Sequence, residues 1–281
     1  MTVEPNTESD AAPPIFEANV AVRSVDATRR RRTPDARDAA CPLSVVIPVH
    51  DEVDNLDALH TRVRWALRGI EGWELVLVDD GSRDGSRERV RRLAETDRQV
   101  VAIHHDTCRG QSAALATGFD RARGRVIATL DADLQNDPGD LPAMLARLEA
   151  DGLDAVLGYR ATRRDTWVKR LSSRIGNGVR RWLTQDGVRD TGCATRVVRR
   201  RALASLPRFD GMHRFIPALL HMNGFRYAEV PVAHHARRHG RSKYGIRNRA
   251  LRAFVDAIAV RWMRSRHLRV PVPTPSGPEP R

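Results

Sequence analysis

The chain of 281 residues holds three cysteines, Cys41, Cys108 and Cys193, with no CxxC pair among them. An odd, scattered set of thiols excludes a disulfide scaffold and fits a reducing compartment. Long apolar runs are missing too. Stretches such as residues 43–49 fall far below the ~20 residues that cross a bilayer, so no transmembrane helix is expected. The opening MTVEPNTESD has neither a basic nor an apolar stretch, and no secretory leader is read there. These absences together favour a cytoplasmic location. Aromatic residues make up only 5% of the chain, and neither GxGxxG nor GxxxxGK[ST] occurs, which removes two common phosphate-binding fingerprints.

What is present is a hydrophobic fraction of 41%, which excludes disorder throughout and supports one core, or a core with an appendage. The net charge is +13, from 48 Lys and Arg against 35 Asp and Glu, and only Lys169 and Lys243 are lysines. A GC-rich coding bias explains so much arginine as well as any partner does. Its distribution says more. Residues 1–40 carry 6 Arg and 7 acidic residues, whereas residues 234–281 carry 12 basic and 2 acidic residues, a net of +10. A positive field confined to that end points to an anionic partner there: phosphate, nucleic acid or an anionic lipid surface.

Residues 1–40 show no sustained periodicity and read as a disordered tail. From residue 43 short Val- and Ile-rich runs alternate with segments of helical length. The runs are LSVVIPV (43–49), ELVLVD (74–79), VVAI (100–103), RVIATL (125–130) and DAVLG (154–158), with helices expected near 54–69, 84–96, 111–122 and 139–150. Continuous apolar strands are buried on both faces, and βα alternation predicts an α/β, Rossmann-like, mostly parallel sheet with flanking helices. Its ligand belongs at the carboxyl ends of the strands. That domain is assigned 41–233, including a strand near 226–232. A basic loop follows at 234–247, then a basic amphipathic helix at 248–267, and a disordered tail at 268–281. In the helix, Leu251, Phe254, Val255, Ile258 and Trp262 form one stripe, which suits either a membrane surface or packing against the domain.

Three strand ends carry chemistry. Asp131-Ala-Asp133-Leu-Gln135 follows the 125–130 run, and two carboxylates with an amide oxygen on one turn can converge on a hard divalent cation. A solvated acidic turn looks the same in isolation; its position at a strand end favours function. Asp79-Asp80-Gly81-Ser82 follows the second run, where a carboxylate can accept from a base edge or ribose, and where a turn with a helix cap is the plainer explanation. Pro48-Val49-His50-Asp51-Glu52 ends the first, with Pro48 expected to stop the ladder.

In order, IPVHDEVDNL, LVDDGSRDGS, RGQSAALATGFDRARG and ATLDADLQNDPGDL resemble the amino-terminal half of a GT-A family 2 glycosyltransferase. VLGYRATRRD, RDTGCATRVVRR and HHARRHGRSKYG resemble the dolichol-phosphate mannose synthase and polyprenyl-phosphate glycosyltransferase branch, so the likeness covers about residues 43–247. It implies a GT-A fold and an inverting, metal-dependent transfer of a sugar from a nucleotide-diphosphate sugar, GDP-mannose or a UDP-sugar, to a polyprenyl phosphate. It also implies roles. Pro48, Glu52 and Asp80, with Asp79 adjacent, match positions contacting the base and ribose. His50 stands where Tyr or Phe is more usual, and Gln111 falls among the donor-binding blocks. Asp131, Asp133 and Gln135 match the site of Mg²⁺ or Mn²⁺ and the diphosphate. Arg160 and the loop Arg237, Arg238, Arg241, Ser242 and Lys243 match positions associated with the donor diphosphate and the acceptor phosphate. The acceptor implies a membrane surface or a separate membrane subunit as partner, with the chain peripheral to the inner face of the cell membrane.

Elementary chemistry agrees. A phosphate monoester with a second pKa of about 6 is already ionised at neutral pH and needs a positive clamp more than a base. Asp190 is the carboxylate placed to act as base for a hydroxyl acceptor, or to hold the turn before Gly192. Cys193 reads as packing, and His234, His235 and His239 lack the further ligands of a zinc site. Transfer to a hydroxyl of a lipid, glycan or protein is the second reading. Processive synthesis is disfavoured by the lack of QxxRW, and nucleic-acid binding by the lack of aromatics interleaved with the basic stretch.

Overall fold

The apolar runs pair into one sheet. A computed structural model describes residues 22–23, 41–161, 187–236 and 246–266. Its strands are β1 (Val22–Arg23), β2 (Leu43–Val49), β3 (Glu74–Asp80), β4 (Val100–His105), β5 (Val126–Thr129), β6 (Ala155–Arg160), β7 (Arg196–Arg199) and β8 (Tyr227–Val232), in the order β1-β8-β6-β7-β5-β2-β3-β4. Helices α1 (Val53–Ala66), α2 (Ser86–Thr96), α3 (Gln111–Arg121) and α4 (Leu141–Ala150) fill the connections of the first half. The second half adds α5 (Arg200–Ala204), α6 (Ile216–Met222) and α7 (Ile246–Ser265). β2 pairs in parallel with β3 and β5, β3 with β4, and β6 with β8, so the mostly parallel α/β sheet read from the sequence is the one that forms.

Period-two alternation sends each strand into two cores. Leu43, Val45, Ile47 and Val49 of β2, with Leu75 and Leu77 of β3, pack with Leu56, Leu59 and Val63 of α1 and Met144 and Leu148 of α4. Val46, Val76 and Val78 face the other way, onto Leu115 and Phe119 of α3 and Leu219 of α6. Both faces are covered, which is why these strands read as unbroken apolar runs. Each fully buried Leu or Ile contributes about 1.5–3 kcal/mol relative to exposure.

Two strands depart from expectation. β7 lies antiparallel between β5 and β6, where no strand was read in the 190–200 stretch. Four residues are too few to show a period, and an antiparallel neighbour needs no crossover helix to announce it. Its direction carries a consequence: the first residue of β7, Arg196, sits opposite Thr129, the last residue of β5, at the same edge as the ends of the parallel strands. Within the stretch read as a tail, Val22–Arg23 pair antiparallel with Tyr227 and Ala228 at the sheet edge; the other residues of 1–40 and all of 268–281 lie outside the described residues. Pro48 does not end the ladder. β2 continues to Val49, but β5 stops opposite Val46, so Pro48 sits where β2 has one neighbour and a missing N–H is tolerated.

The stripe on α7 does not pack on the domain. Ala257 and Val260 are buried, while Phe254, Val255, Ile258 and Trp262 are 46–62% exposed. The side chain of Leu251 lies outside the described residues. No helix among the described residues is long and apolar enough to cross a membrane.

Candidate active site

At the carboxyl ends of β2 and β3 the carboxylates are turned inward. Asp80 is 3% exposed and accepts four bonds: Oδ1 from His105 Nδ1 at 2.8 Å and the Arg109 N–H at 2.8 Å, Oδ2 from the Gly110 N–H at 2.7 Å and Cys108 Sγ at 3.4 Å. Burial acts to raise its pKa, and these donors outweigh it, holding the carboxyl below its ordinary value. Gly81 makes the wrap possible. At φ +67° a Cβ there would lie 2.6 Å from the Cys108 nitrogen, so the 106–110 loop passes where only glycine leaves room. Asp79 is fully buried and accepts from the Ser82 N–H at 3.3 Å and Arg87 Nε at 3.3 Å. The two acids expected to meet a base or ribose also anchor loops.

The groups on the rim itself are His50, whose Nδ1 meets the Asp80 carbonyl at 2.9 Å, and Glu52, which accepts from Asn55 Nδ2 at 2.6 Å. Ser82 and Ser86 hydroxyls accept the N–H groups of Asp51 and Glu52, fastening the turn after β2 to the turn after β3. His50, Asp80 and Cys108 bring possible ligand atoms within 4.8 Å of one another. Asp80's engagement by the loop makes this grouping an anchor.

At the end of β5 Asp131 is half-buried and Asp133 is buried. Asp131 accepts from Gln111 Nε2 at 2.9 Å, joining the first residue of α3 to the DADLQ turn. Asp133 is 7% exposed and accepts the Gln135 N–H at 3.2 Å, across Leu134, whose φ of +61° is the left-handed conformation that closes the turn. Gln135 reaches beyond the motif. Its Nε2 donates to the His235 carbonyl at 3.2 Å and its carbonyl accepts the His235 N–H at 2.8 Å, while Asn136 bridges His234. The turn is therefore stitched to the segment that leads into residues 237–245. Arg237, Arg238, Arg241, Ser242, Lys243 and His239 lie outside the described residues. The donor set of Asp131, Asp133 and Gln135 is all hard oxygen and suits Mg²⁺ or Mn²⁺.

Asp190 and Arg160 form one unit. Arg160 Nε donates to Oδ2 at 2.7 Å and Nη2 to Oδ1 at 2.9 Å, and Asp190 also accepts the Gly192 N–H at 3.1 Å. The bidentate carboxylate raises the Arg160 pKa against the opposing effect of burial. Cys193 is 2% exposed, and burial pushes its thiol pKa up, as packing requires. Beside this pair a cavity of about 90 Å³ is lined by Gln111, Asp131, Thr191, Arg196, His213 and Arg214. Arg196, His213 and Arg214 were not among the expected site residues. Arg196 stands at the amino end of an antiparallel strand, which an expectation of ligands at carboxyl ends does not cover.

The model for glycosyl transferase family 2 matches residues 44–206. The chain belongs to that family. It is 37% identical over 225 residues to the dodecaprenyl-phosphate galacturonate synthase of Rhizobium johnstonii, covering 78% of this chain and 66% of that protein. It is 41% identical over 206 residues to the undecaprenyl-phosphate 4-deoxy-4-formamido-L-arabinose transferase of Pseudomonas paraeruginosa, covering 72% of this chain and 60% of that one. The chain thus spans about two thirds or less of the length of these relatives. The family 2 fold is shared with the mannosyltransferase PcManGT of Pyrobaculum calidifontis, solved with GDP-Man and Mn²⁺, at a TM-score of 0.58 and 20% identity over 82% of this chain and 65% of that one. It is shared too with glucosyl-3-phosphoglycerate synthase of Mycobacterium tuberculosis, solved with Mg²⁺ and UDP, at 0.59 and 17% over 81% and 80%.

Proposed function

We propose that this family 2 glycosyltransferase moves one sugar, with inversion, from a nucleotide-diphosphate sugar to the phosphate of a polyprenyl phosphate at the inner face of the cell membrane. The observation that carries the reading is the Arg160–Asp190 pair. A carboxylate already accepting a bidentate guanidinium and a backbone N–H is a poor proton acceptor, so the best-placed base for a hydroxyl acceptor is engaged elsewhere. A phosphate acceptor needs no deprotonation. The names of both relatives carry the same acceptor class, and the ligands of the two structural neighbours support a nucleotide-sugar donor with a divalent cation.

In this reading His50, Glu52 and the backbone held by Asp79 and Asp80 receive the nucleoside, and Gln111 orients Asp131. Asp131, Asp133 and Gln135 would hold a divalent cation, which when bound would supply positive charge against the leaving diphosphate. Arg160, fixed by Asp190, presents its guanidinium to the anionic substrates without a search for geometry. The described chain reaches His235 beside Gln135, and the positive residues Arg237 to Lys243 follow it in sequence from the rim where an acceptor phosphate must approach. The exposed stripe of Phe254, Val255, Ile258 and Trp262, with Arg261 and Arg264 on the same helix, rests on the anionic lipid surface that holds the acceptor.

The test compares undecaprenyl phosphate with undecaprenol as acceptors for a labelled nucleotide sugar and Mn²⁺. Label is expected to enter the lipid phase only with the phosphate. Equal transfer to the alcohol sinks the reading in favour of hydroxyl transfer.

A further inference from the structure

The helix that carries the exposed stripe also reaches the active-site cavity from its inner side. Asp256 is the only acidic residue of α7, which carries five arginines. Phe254 and Val255 before it are exposed, but Asp256 is half-buried and turns toward the domain, where Ala257 and Val260 share a core with Met212, Phe215 and Leu219. Its Oδ2 lies 3.8 Å from Nη1 of Arg214, a residue that lines the cavity beside Asp131. Gly211 makes the approach possible. It has a φ of +90°, and a Cβ there would lie 2.5 Å from Asp256 Oδ2, so the backbone and the space both call for glycine. Its N–H donates to Ser112 Oγ at 3.0 Å, next in sequence to Gln111, whose Nε2 holds Asp131 at 2.9 Å. The turn 211–214 is thus tied on one side to the acid of the DADLQ turn and on the other to the carboxylate of α7.

The length of this contact decides what it does. Asp190 meets Arg160 at 2.7 and 2.9 Å and occupies its guanidinium bidentately, whereas 3.8 Å is beyond hydrogen-bond length. A partly exposed pair of that length contributes little to stability. It still sets direction. A long arginine side chain has many rotamers, and a carboxylate fixed on a packed helix favours those that keep the guanidinium at the cavity wall. In the transferase reading the donor diphosphate is held at Asp131, so the Arg214 charge stands beside the place where negative charge develops. We propose that Asp256 is a positioning residue that holds Arg214 at the leaving diphosphate from α7, so that the helix resting on the lipid also completes the active site. The inference rests on the proposed transferase function.

The test is a double-mutant cycle on the full chain with Mn²⁺. It measures label transfer from UDP- and GDP-sugars to undecaprenyl phosphate, the affinities for UDP and GDP by titration, and the melting temperature. Asp256→Asn keeps the shape of the side chain and removes its charge. It is expected to lower kcat about tenfold and to tighten the nucleotide diphosphate about threefold, because a negative charge near the anion is gone, with the melting temperature unchanged. Arg214→Met alone is expected to lower kcat about 100-fold. With Arg214→Met in place, Asp256→Asn is expected to change neither kcat nor affinity further, because the two residues act as one unit. A kcat for Asp256→Asn within about twofold of the parent overturns the inference, as does the same loss with and without Arg214. Weaker nucleotide binding together with a lower melting temperature also overturns it, making Asp256 a packing residue. Nucleotide binding by the parent without transfer to the lipid phosphate counts against the transferase reading instead. The pairing is then read from the affinities alone, where equal effects of Asp256→Asn with and without Arg214 overturn it.

Discussion

The two halves of the rim use the same residue types in opposite ways. Beyond β2 and β3, Asp79 and Asp80 are buried and accept from backbone and side-chain donors that fasten the 81–87 and 106–110 loops. Beyond β5, β6 and before β7, Asp131, Arg160 and Arg196 face or flank a cavity, and their arrangement depends on a few long-range partners. A nucleoside can be held by a rigid shape. A diphosphate, a sugar and an incoming phosphate need charge aimed at them, and in the proposed reading the second half supplies it.

Removing a carboxylate from each half sharpens this contrast. Asp133→Asn on the second half is expected to reduce transfer about 10³-fold, the size of losing a major electrostatic contact to the leaving group, with the melting temperature little changed. Activity within tenfold of the parent would break the assignment of that half. Asp80→Asn on the first half is expected to act through stability, lowering it by about 2–3 kcal/mol in urea unfolding because charge-assisted bonds to the Arg109 and Gly110 amides are lost. Unchanged stability with a large loss of nucleotide affinity would instead make Asp80 a ligand contact and erase the difference between the halves.

A smaller effect tests the seam between the DADLQ turn and the strand β8. Asp140 accepts the Ala233 N–H at 2.9 Å, and burial, reinforced by the charge of Asp137, raises its pKa from 3.8 to about 6. The folded state therefore keeps a proton that the unfolded chain has lost, and this group's contribution to stability falls as pH rises from 3.8 toward 6. Asp140→Asn is expected to be more stable than the parent by about 1–2 kcal/mol at pH 8 and equal to it below pH ~3.8, measured as melting temperature against pH. A variant less stable at pH 8 would show that the ionised carboxylate is the stabilising form. The smallest effect concerns α7: Trp262→Ala is expected to weaken binding to anionic liposomes severalfold at low salt and to leave the melting temperature unchanged, because that ring is 62% exposed. Loss of stability would place the stripe in a packed interface.

The sequence made the first half of the sheet legible because each strand end carries its polar residues within a few positions of an apolar run. Asp131, Asp133 and Gln135 were found that way, as was the parallel sheet that presents them. The partners of Asp80 were not, since Arg109 and Gly110 lie about 30 residues away and meet it only because Gly81 lets the loop close. The engagement of Asp190 by Arg160 has the same origin, a contact across 30 positions that no local pattern encodes. Arg196 was hidden by direction: a rule that looks for ligands at carboxyl ends overlooks β7, which runs antiparallel to both its neighbours.

In the proposed mechanism Asp190 serves Arg160 as a positioning residue, and the pH–rate profile of its variant tests this most directly. For Asp190→Asn with undecaprenyl phosphate as acceptor, kcat is expected to fall about 10–100-fold by the same factor at every pH, with the shape of the profile kept. A profile that loses its acidic limb, with activity restored at high pH where the acceptor ionises unaided, would mark Asp190 as the general base and contradict it.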